Sequence, residues 1–277
     1  MTDKGKSRSG SGSGSGSKSG SGSGSGSRSG PGARTGSGSK SKSGPSSRPG
    51  GRQTTVRVKT ANKRSASSTR WLERQLNDPY VAEAQKRGFR SRAAFKLLQL
   101  DEKFHLLASG QRIVDLGAAP GGWTQVAVER IQPASLGGRG GGMIVALDIL
   151  PMEPLAGAVT LQADFLEEAA SDMLRQRLDG PADLVLSDMA SPTTGHGGTD
   201  HLRIMALAEA AYDFASEVLA PGGAFVCKLF QGGAERSLLD RLRRDFASVR
   251  HAKPAASRAD SAETYLVATG FRGSAGR

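Results

Sequence analysis

Residues 112–123 read Arg-Ile-Val-Asp-Leu-Gly-Ala-Ala-Pro-Gly-Gly-Trp, a short apolar strand that runs into a glycine-rich turn and then opens a helix. Glycines let the backbone turn sharply and approach a ligand closely. In open α/β sheets, ligands sit beyond the carboxyl ends of the strands, where the strand order reverses. The spacing Gly117-x-x-x-Gly121 departs from the dinucleotide fingerprint. Asp115 argues the same way: pyrophosphate docks on a helix N-terminus, and a carboxylate just ahead of that turn is poorly placed beside it.

Strand and helix patterns alternate on either side of this turn. Apolar runs at 142–148, 158–162, 182–187, 223–230, 247–253 and 263–269 read as strands, and 122–131, 166–178, 200–219 and 234–245 as helices. Upstream, 71–77 and 79–87 read as short helices, with Pro79 at a helix start. Residues 91–107 carry Ala94, Phe95, Leu97, Leu98, Leu100 and Phe104 at helical spacing. The alternation implies a mostly parallel sheet with helices on both faces, and strands this apolar suit burial on both sides.

The charge is unevenly spread. The chain carries 38 Lys and Arg against 26 acids, net +12, but residues 1–70 hold 15 of the cations and a single acid, Asp3. Ser-Gly repeats fill residues 1 to about 55, a composition that cannot bury enough apolar surface to offset its ordering entropy. We expect a disordered basic tail over 1–67, with ordered structure starting near Ser68 and a folded domain over 68–277. A basic tail suits a polyanionic partner, or serves only as a solubilising leader. With Cys227 the single cysteine, neither a disulfide nor a cysteine-based zinc site is available. There is no run of about 18 apolar residues to span a membrane and no apolar leader typical of secretion, so a cytoplasmic location is expected. The glycine-rich run 134–142 reads as a mobile loop.

Three acids fall at successive strand ends. Asp115 beside the turn suits a ligand carrying an ammonium group and a sulfonium, as S-adenosylmethionine does. Asp148, ending the second strand, is placed to accept hydrogen bonds from ribose hydroxyls, and Asp164, after the third, to meet an adenine edge. Any one of them alone also reads as a helix cap or a solvated turn.

The fourth strand ends in Ser187-Asp188-Met189-Ala190. An amine methylator commonly has an Asn/Asp-Pro-Pro-aromatic run here, and a base-carbon methylator needs a cysteine nucleophile. Cys227, inside strand five, reads as a packed thiol. Lys96, Lys228 and Glu263 are the ionisable residues able to join Asp188. Lys228 is the sharpest anomaly, a cation inside the apolar run FVCKLF; snorkelling from an edge strand is the alternative. Such charges suit a weak nucleophile such as a ribose 2′-hydroxyl, which needs orientation and proton removal. A lysine accepts that proton only when neutral, which burial and a second cation favour. Lys228 is the favoured base, Asp188 and Lys96 orient it and the hydroxyl, and Glu263 balances charge; which lysine takes the proton stays open.

The stretches YVAEAQKRGFRSRAAFKL, VDLGAAPGGW, LDILPMEP, SDMAS, LAPGGAFVCKLFQG and KPAASRADSAETYLVATG resemble the FtsJ/RrmJ (RlmE) family of large-subunit ribosomal RNA 2′-O-methyltransferases. The resemblance implies a Rossmann-like, class I S-adenosylmethionine-dependent fold, with a seven-stranded, mostly parallel sheet and an antiparallel last strand. It implies a uridine in the A-loop of 23S rRNA as substrate, within the assembled large subunit. It carries a catalytic tetrad onto Lys96, Asp188, Lys228 and Glu263, and cofactor contacts onto Gly121, Trp123, Asp148, Asp164 and Asp188. The Ser-Gly tail, the length of loop 134–142 and the sequence 191–201 depart from the family pattern.

Lys86, Arg87, Arg90, Arg92 and Lys96 surround Phe89 and Phe95, a composition suited to an RNA backbone with Phe89 stacked on a base, or to a solvated helix face over core aromatics. Lys253 and Arg258 would extend that groove. His196 and His201 read as loop histidines, and no metal is expected. The expected state is a monomer. The rival readings are the same chemistry on tRNA or another RNA, and a non-catalytic ribosome-assembly factor that keeps the fold.

Overall fold

The structure, a computed structural model, describes residue 60 and residues 65–133, 136–137, 141–192, 194–231 and 236–273. The Ser-Gly segment and most of the loop expected at 134–142 lie outside the described residues.

Helix α1 (Ala66–Leu76) starts earlier than the sequence suggests. The run Ser65-Ala-Ser-Ser offers several hydroxyls; Ser65 is the one that caps, accepting from the Ser68 amide at 3.2 Å. Helix α2 (Pro79–Arg87) is capped by Asp78, whose Oδ1 accepts from the Tyr80 amide at 3.0 Å, with Pro79 in its first turn. Helix α3 (Ala94–Phe104) begins three residues later than its apolar pattern, because Ser91–Ala93 form a turn.

The remaining elements are β1 (Arg112–Leu116), α4 (Gly122–Ile131), β2 (Met143–Asp148), β3 (Val159–Gln162), α5 (Glu168–Leu178), β4 (Ala182–Ser187), α6 (Gly197–Val218), β5 (Leu219–Phe230), α7 (Arg236–Asp245), β6 (Phe246–Ala252) and β7 (Glu263–Phe271). They build one seven-stranded sheet in the order β3-β2-β1-β4-β5-β7-β6. Strand β7 is antiparallel to both neighbours, and the other six run one way. The expected architecture is therefore present, with the last strand inserted inside the sheet.

Alternate strand residues feed two cores. Val114, Val145, Val185, Phe225 and Leu266 pack on one face against α5, α6 and α7. Ile113, Ile144, Leu186, Val226 and Val267 pack on the other against α2, α3 and α4. Cys227 is buried in the first of these cores, as its apolar context implied. No helix among the described residues is long and apolar enough to cross a membrane.

Candidate active site

The sheet register sets three strand ends level. Leu116 pairs with Leu147 on one side and Ser187 on the other, so Gly117, Asp148 and Asp188 emerge together at the point where the strand order reverses. The Gly117 amide donates to Leu147 O at 2.9 Å and the Asp188 amide to Leu116 O at 3.0 Å, which fixes this rim. A cavity of about 520 Å³ opens there, lined by Gly117, Asp148, Ile149, Leu150, Asp164, Phe165, Asp188 and Met189, among others. At Gly117 (φ +75°) a Cβ would fall 2.7 Å from the Met189 backbone, so the close approach of the two loops demands glycine.

Asp148 and Asp164 both reach the cavity wall. Asp148 accepts from the Ala119 and Leu150 amides at 2.9 and 2.8 Å, and Asp164 from the Leu166 amide at 3.0 Å. Each oxygen keeps a second lone pair for a ligand. Asp115 lies beneath the rim, wholly buried. Its Oδ2 accepts from Thr124 Oγ1 at 2.7 Å, while Oδ1 has no hydrogen-bond partner. Burial pushes its carboxyl up to about 7, against the Thr124 hydrogen bond and aided by the charges of Asp188 and Asp148. Gly121 and Trp123 are set back from the cavity. Gly121 (φ +106°) leaves room for the Arg90 guanidinium, and the Trp123 indole donates to Ala93 O at 2.8 Å and packs 5.6 Å from the Tyr265 ring.

Beside the cavity the structure brings together all four residues expected at the reacting centre. Antiparallel pairing of β5 with β7 sets Lys228 opposite Tyr265 and Phe230 opposite Glu263, and α3 lays Lys96 over them. Lys228 Nζ lies 3.1 Å from Asp188 Oδ1 and also donates to the Asp188 carbonyl. Lys96 Nζ lies 2.7 Å from Glu263 Oε2, and Ser257 Oγ donates to the other Glu263 oxygen at 2.7 Å. Lys228 is only 8% exposed on a strand with a neighbour on each side, which rules out a snorkelling edge residue.

Tyr265 joins the two ion pairs. Its hydroxyl accepts from Lys96 Nζ at 3.1 Å and donates to Asp188 Oδ1 at 2.7 Å. Burial alone would raise the Asp188 carboxyl, but Lys228, Lys96 and the Tyr265 hydroxyl outweigh it and hold the group below its ordinary value. Burial and the carboxylates of Asp188 and Glu263 push Tyr265 well above the usual phenol range, so it remains a donor. Nothing in the sequence marks Tyr265 or Ser257 for a role: apolar-patterned strand neighbours conceal the first, and an ordinary loop the second.

The expected basic groove needs correction. Phe89 is buried edge-on against Phe95 at 5.6 Å and offers no face to a base. The Arg90 guanidinium is taken by the carbonyls of Pro120, Glu153 and Pro154 at 3.3, 2.6 and 2.7 Å. Arg92 pairs with Asp78 at 3.0 Å and donates to Ala256 O. Lys253 donates to Ala259 O and Ser261 O, and Arg258 to Gln75 and Asp78. These cations hold chain segments together. Among the described residues no group of three or more His, Cys, Asp and Glu side chains is arranged to hold a metal ion.

A Rossmann-like sheet with an inserted antiparallel strand and an acidic cavity at its switch point defines a methyltransferase. The profile of the FtsJ-like methyltransferase family matches residues 89–271, and the chain belongs to that family. It is 65% identical over 225 residues to a protein of Paramagnetospirillum magneticum named ribosomal RNA large subunit methyltransferase E, spanning 81% of this chain and 91% of the relative. A protein of the same name from Azorhizobium caulinodans is 62% identical over 229 residues, or 83% and 94% of the two chains. A solved structure from Plasmodium falciparum, named as a ribosomal RNA methyltransferase, superimposes with a TM-score of 0.57 at 29% identity, covering 67% of this chain and all of its own. The chain is thus an enzyme, a methyltransferase.

Proposed function

We propose that this enzyme transfers the methyl group of S-adenosylmethionine to the ribose 2′-hydroxyl of a uridine in the A-loop of 23S rRNA, within the large ribosomal subunit. The observation that carries the reading is the Lys228–Asp188 pair at the edge of the acidic cavity, tied through Tyr265 to Lys96 and Glu263. The names of the relatives support ribosomal RNA as the substrate.

The residues fit the methyl donor. An orphaned, wholly buried carboxylate oxygen of Asp115 lies beneath a cavity walled by three further carboxylates, which suits a cationic ligand. The apolar Ile149, Leu150 and Phe165 beside Asp164 suit an adenine ring, and Asp148 suits its ribose. Gly121 and Trp123 would shape the turn around the donor from behind. When bound, the donor supplies an already activated methyl group.

The chain's own residues do the rest. Lys228 Nζ, in its neutral form, takes the proton from the 2′-hydroxyl. Asp188 holds Lys228 and stabilises the ammonium that results. Lys96 and Tyr265 orient the hydroxyl, and Glu263 balances Lys96. Positioning of this kind supplies much of the rate enhancement in a displacement whose leaving group is already activated. We read the basic segment ahead of α1 as adding weak RNA contact, and the enzyme as a cytoplasmic monomer.

The test is labelled-methyl transfer from S-adenosylmethionine to purified large subunits, with the nucleotide mapped by mass spectrometry. Incorporation at one A-loop uridine is expected. Absence of incorporation while RNA binding persists would favour the assembly-factor reading, and incorporation only into tRNA would move the substrate. Unchanged affinity and salt dependence after deletion of residues 1–64, which spares α1 and its cap, would make the tail a bystander.

A further inference from the structure

A second cavity, of about 350 Å³, adjoins the charged cluster and shares Lys96 and Glu263 with it. Its other walls come from Arg74 on α1, from Arg92, and from Arg258, Asp260 and Ser261 in the loop before β7. Four cations thus face two carboxylates. Three of the four are committed: Arg92 to Asp78 and Ala256, Arg258 to Asp78 and Gln75, and Lys96 to Glu263. Arg74 differs. It is exposed, and its guanidinium makes no hydrogen bond or ion pair with another described residue.

We propose that Arg74 binds a backbone phosphate of the RNA strand next to the acceptor nucleotide, making helix α1 one wall of the acceptor cleft. This rests on the reading of the cluster as the site of 2′-hydroxyl methylation. A ribose presented to Lys228 and Lys96 carries a phosphate on each side, and the cavity extends from Lys96 towards α1. A guanidinium presents a planar fork that matches phosphate oxygens in pairs. The committed neighbours do a different job. Asp78 and Gln75 anchor Arg258, and Asp78 anchors Arg92, so the start of α2 is locked to the loop before β7 and α1 is carried with it. Phosphate contacts fix register and carry no sequence information, so Arg74 acts on binding and leaves the choice of base to other residues.

The experiment compares the full chain with Arg74→Glu and Arg74→Lys. Thermal midpoints are measured first; Arg74 has no hydrogen-bond or ion-pair partner among the described residues, so Arg74→Lys leaves the midpoint unchanged and Arg74→Glu, in the last turn of α1, lowers it only slightly. In methyl transfer to large subunits, Arg74→Glu is expected to raise KM for the subunit about tenfold, the loss of one charge-assisted contact. The kcat and the KM for S-adenosylmethionine stay as in the wild type. In a separate binding assay with a labelled oligouridylate, Arg74→Glu is expected to flatten the slope of log affinity against log salt by about 0.7, and Arg74→Lys to keep it. Wild-type KM and salt slope in Arg74→Glu would overturn the proposal, as would a fall in kcat with KM unchanged. The oligouridylate arm is read whether or not methyl transfer occurs, so the substrate reading and this one fail separately.

Discussion

The Tyr265 hydroxyl donates to Asp188 Oδ1 across the full width of β5, the strand that carries Lys228. Strands β4 and β7 are two spacings apart, roughly 10 Å, and a tyrosine is long enough to bridge them. The side chain is wedged against Trp123, and that indole is fixed by its own bond to Ala93. The line of contact thus runs from the start of α4, through two aromatic rings, to the Asp188 carboxylate.

Tyr265→Phe keeps the ring packing and deletes one donor to Asp188. That donor helps hold the Asp188 carboxyl low, so its loss raises the carboxyl and moves the acid limb of the stability–pH profile to higher pH. At neutral pH kcat/KM should fall about tenfold, the cost of one hydrogen bond to a charged group. A profile that superimposes on that of the wild type would show that Tyr265 only fills space.

Lys228→Met removes the favoured base and leaves Asp188 largely buried with fewer partners. Methyl transfer should fall by at least about a hundredfold. Stability in urea at pH 7.5 should fall by about 3 kcal/mol. The sign with pH follows from the wild type, in which the depressed Asp188 carboxyl contributes stability that is present above 3.8 and lost only as pH falls below it. In the variant the carboxyl rises, so the loss in stability shrinks as the pH is lowered. A deficit that is constant with pH would contradict the pairing.

Asp115 has the opposite sign. Its folded value of about 7 stands above the ordinary 3.8, so the folded state binds more protons than the unfolded one between those limits. Stability from this group is fully present below 3.8 and is lost as pH rises through about 7. The gap corresponds to at most about 4 kcal/mol. Asp115→Asn keeps an acceptor for Thr124 and cannot ionise. In urea unfolding at pH 5 and pH 8, the variant should gain on the wild type as pH rises. Parallel curves would count against the buried, half-satisfied carboxylate.

Asp78 serves two purposes that two substitutions separate. Asp78→Asn retains the cap on α2 and removes the charge facing Arg92 and Arg258; Asp78→Ala removes both. The alanine variant should be less stable than the asparagine variant by about 1 kcal/mol, the value of a cap. Both should lose about 3 kcal/mol more from the broken ion pair with Arg92, which is largely buried. Thermal and urea unfolding of the pair would check the split.

Much of this arrangement was legible beforehand. The turn after β1 and the alternation of apolar runs fixed the sheet, since strands buried on both faces carry an uninterrupted apolar signal. Lys228 stood out because a charge interrupts such a run and Asp188 because it follows one directly, while the family resemblance joined Lys96 and Glu263 to them. The cations of 90–92 were misjudged for a physical reason. Arg90 finds its acceptors 30, 63 and 64 residues away, and Arg92 finds Ala256 at a separation of 164. A basic residue near a cleft reads the same in sequence whether it meets a phosphate or a distant carbonyl. The roles of Tyr265 and Ser257 were illegible for a related reason, because a hydroxyl reveals its work only through its partners.

The placement of β7 bears on how the enzyme comes into being. A ribosome lays down residues in order, and β7 follows every other strand, yet it closes between β5 and β6. A nascent chain that ends before Glu263 has the whole cavity lined by Asp148, Asp164 and Asp188 but lacks Glu263 and Tyr265, and the β5 backbone stands open to any passing strand. With the site as proposed, the capacity to hold the donor is written early in synthesis and the capacity to react is written late, so incomplete chains are silent.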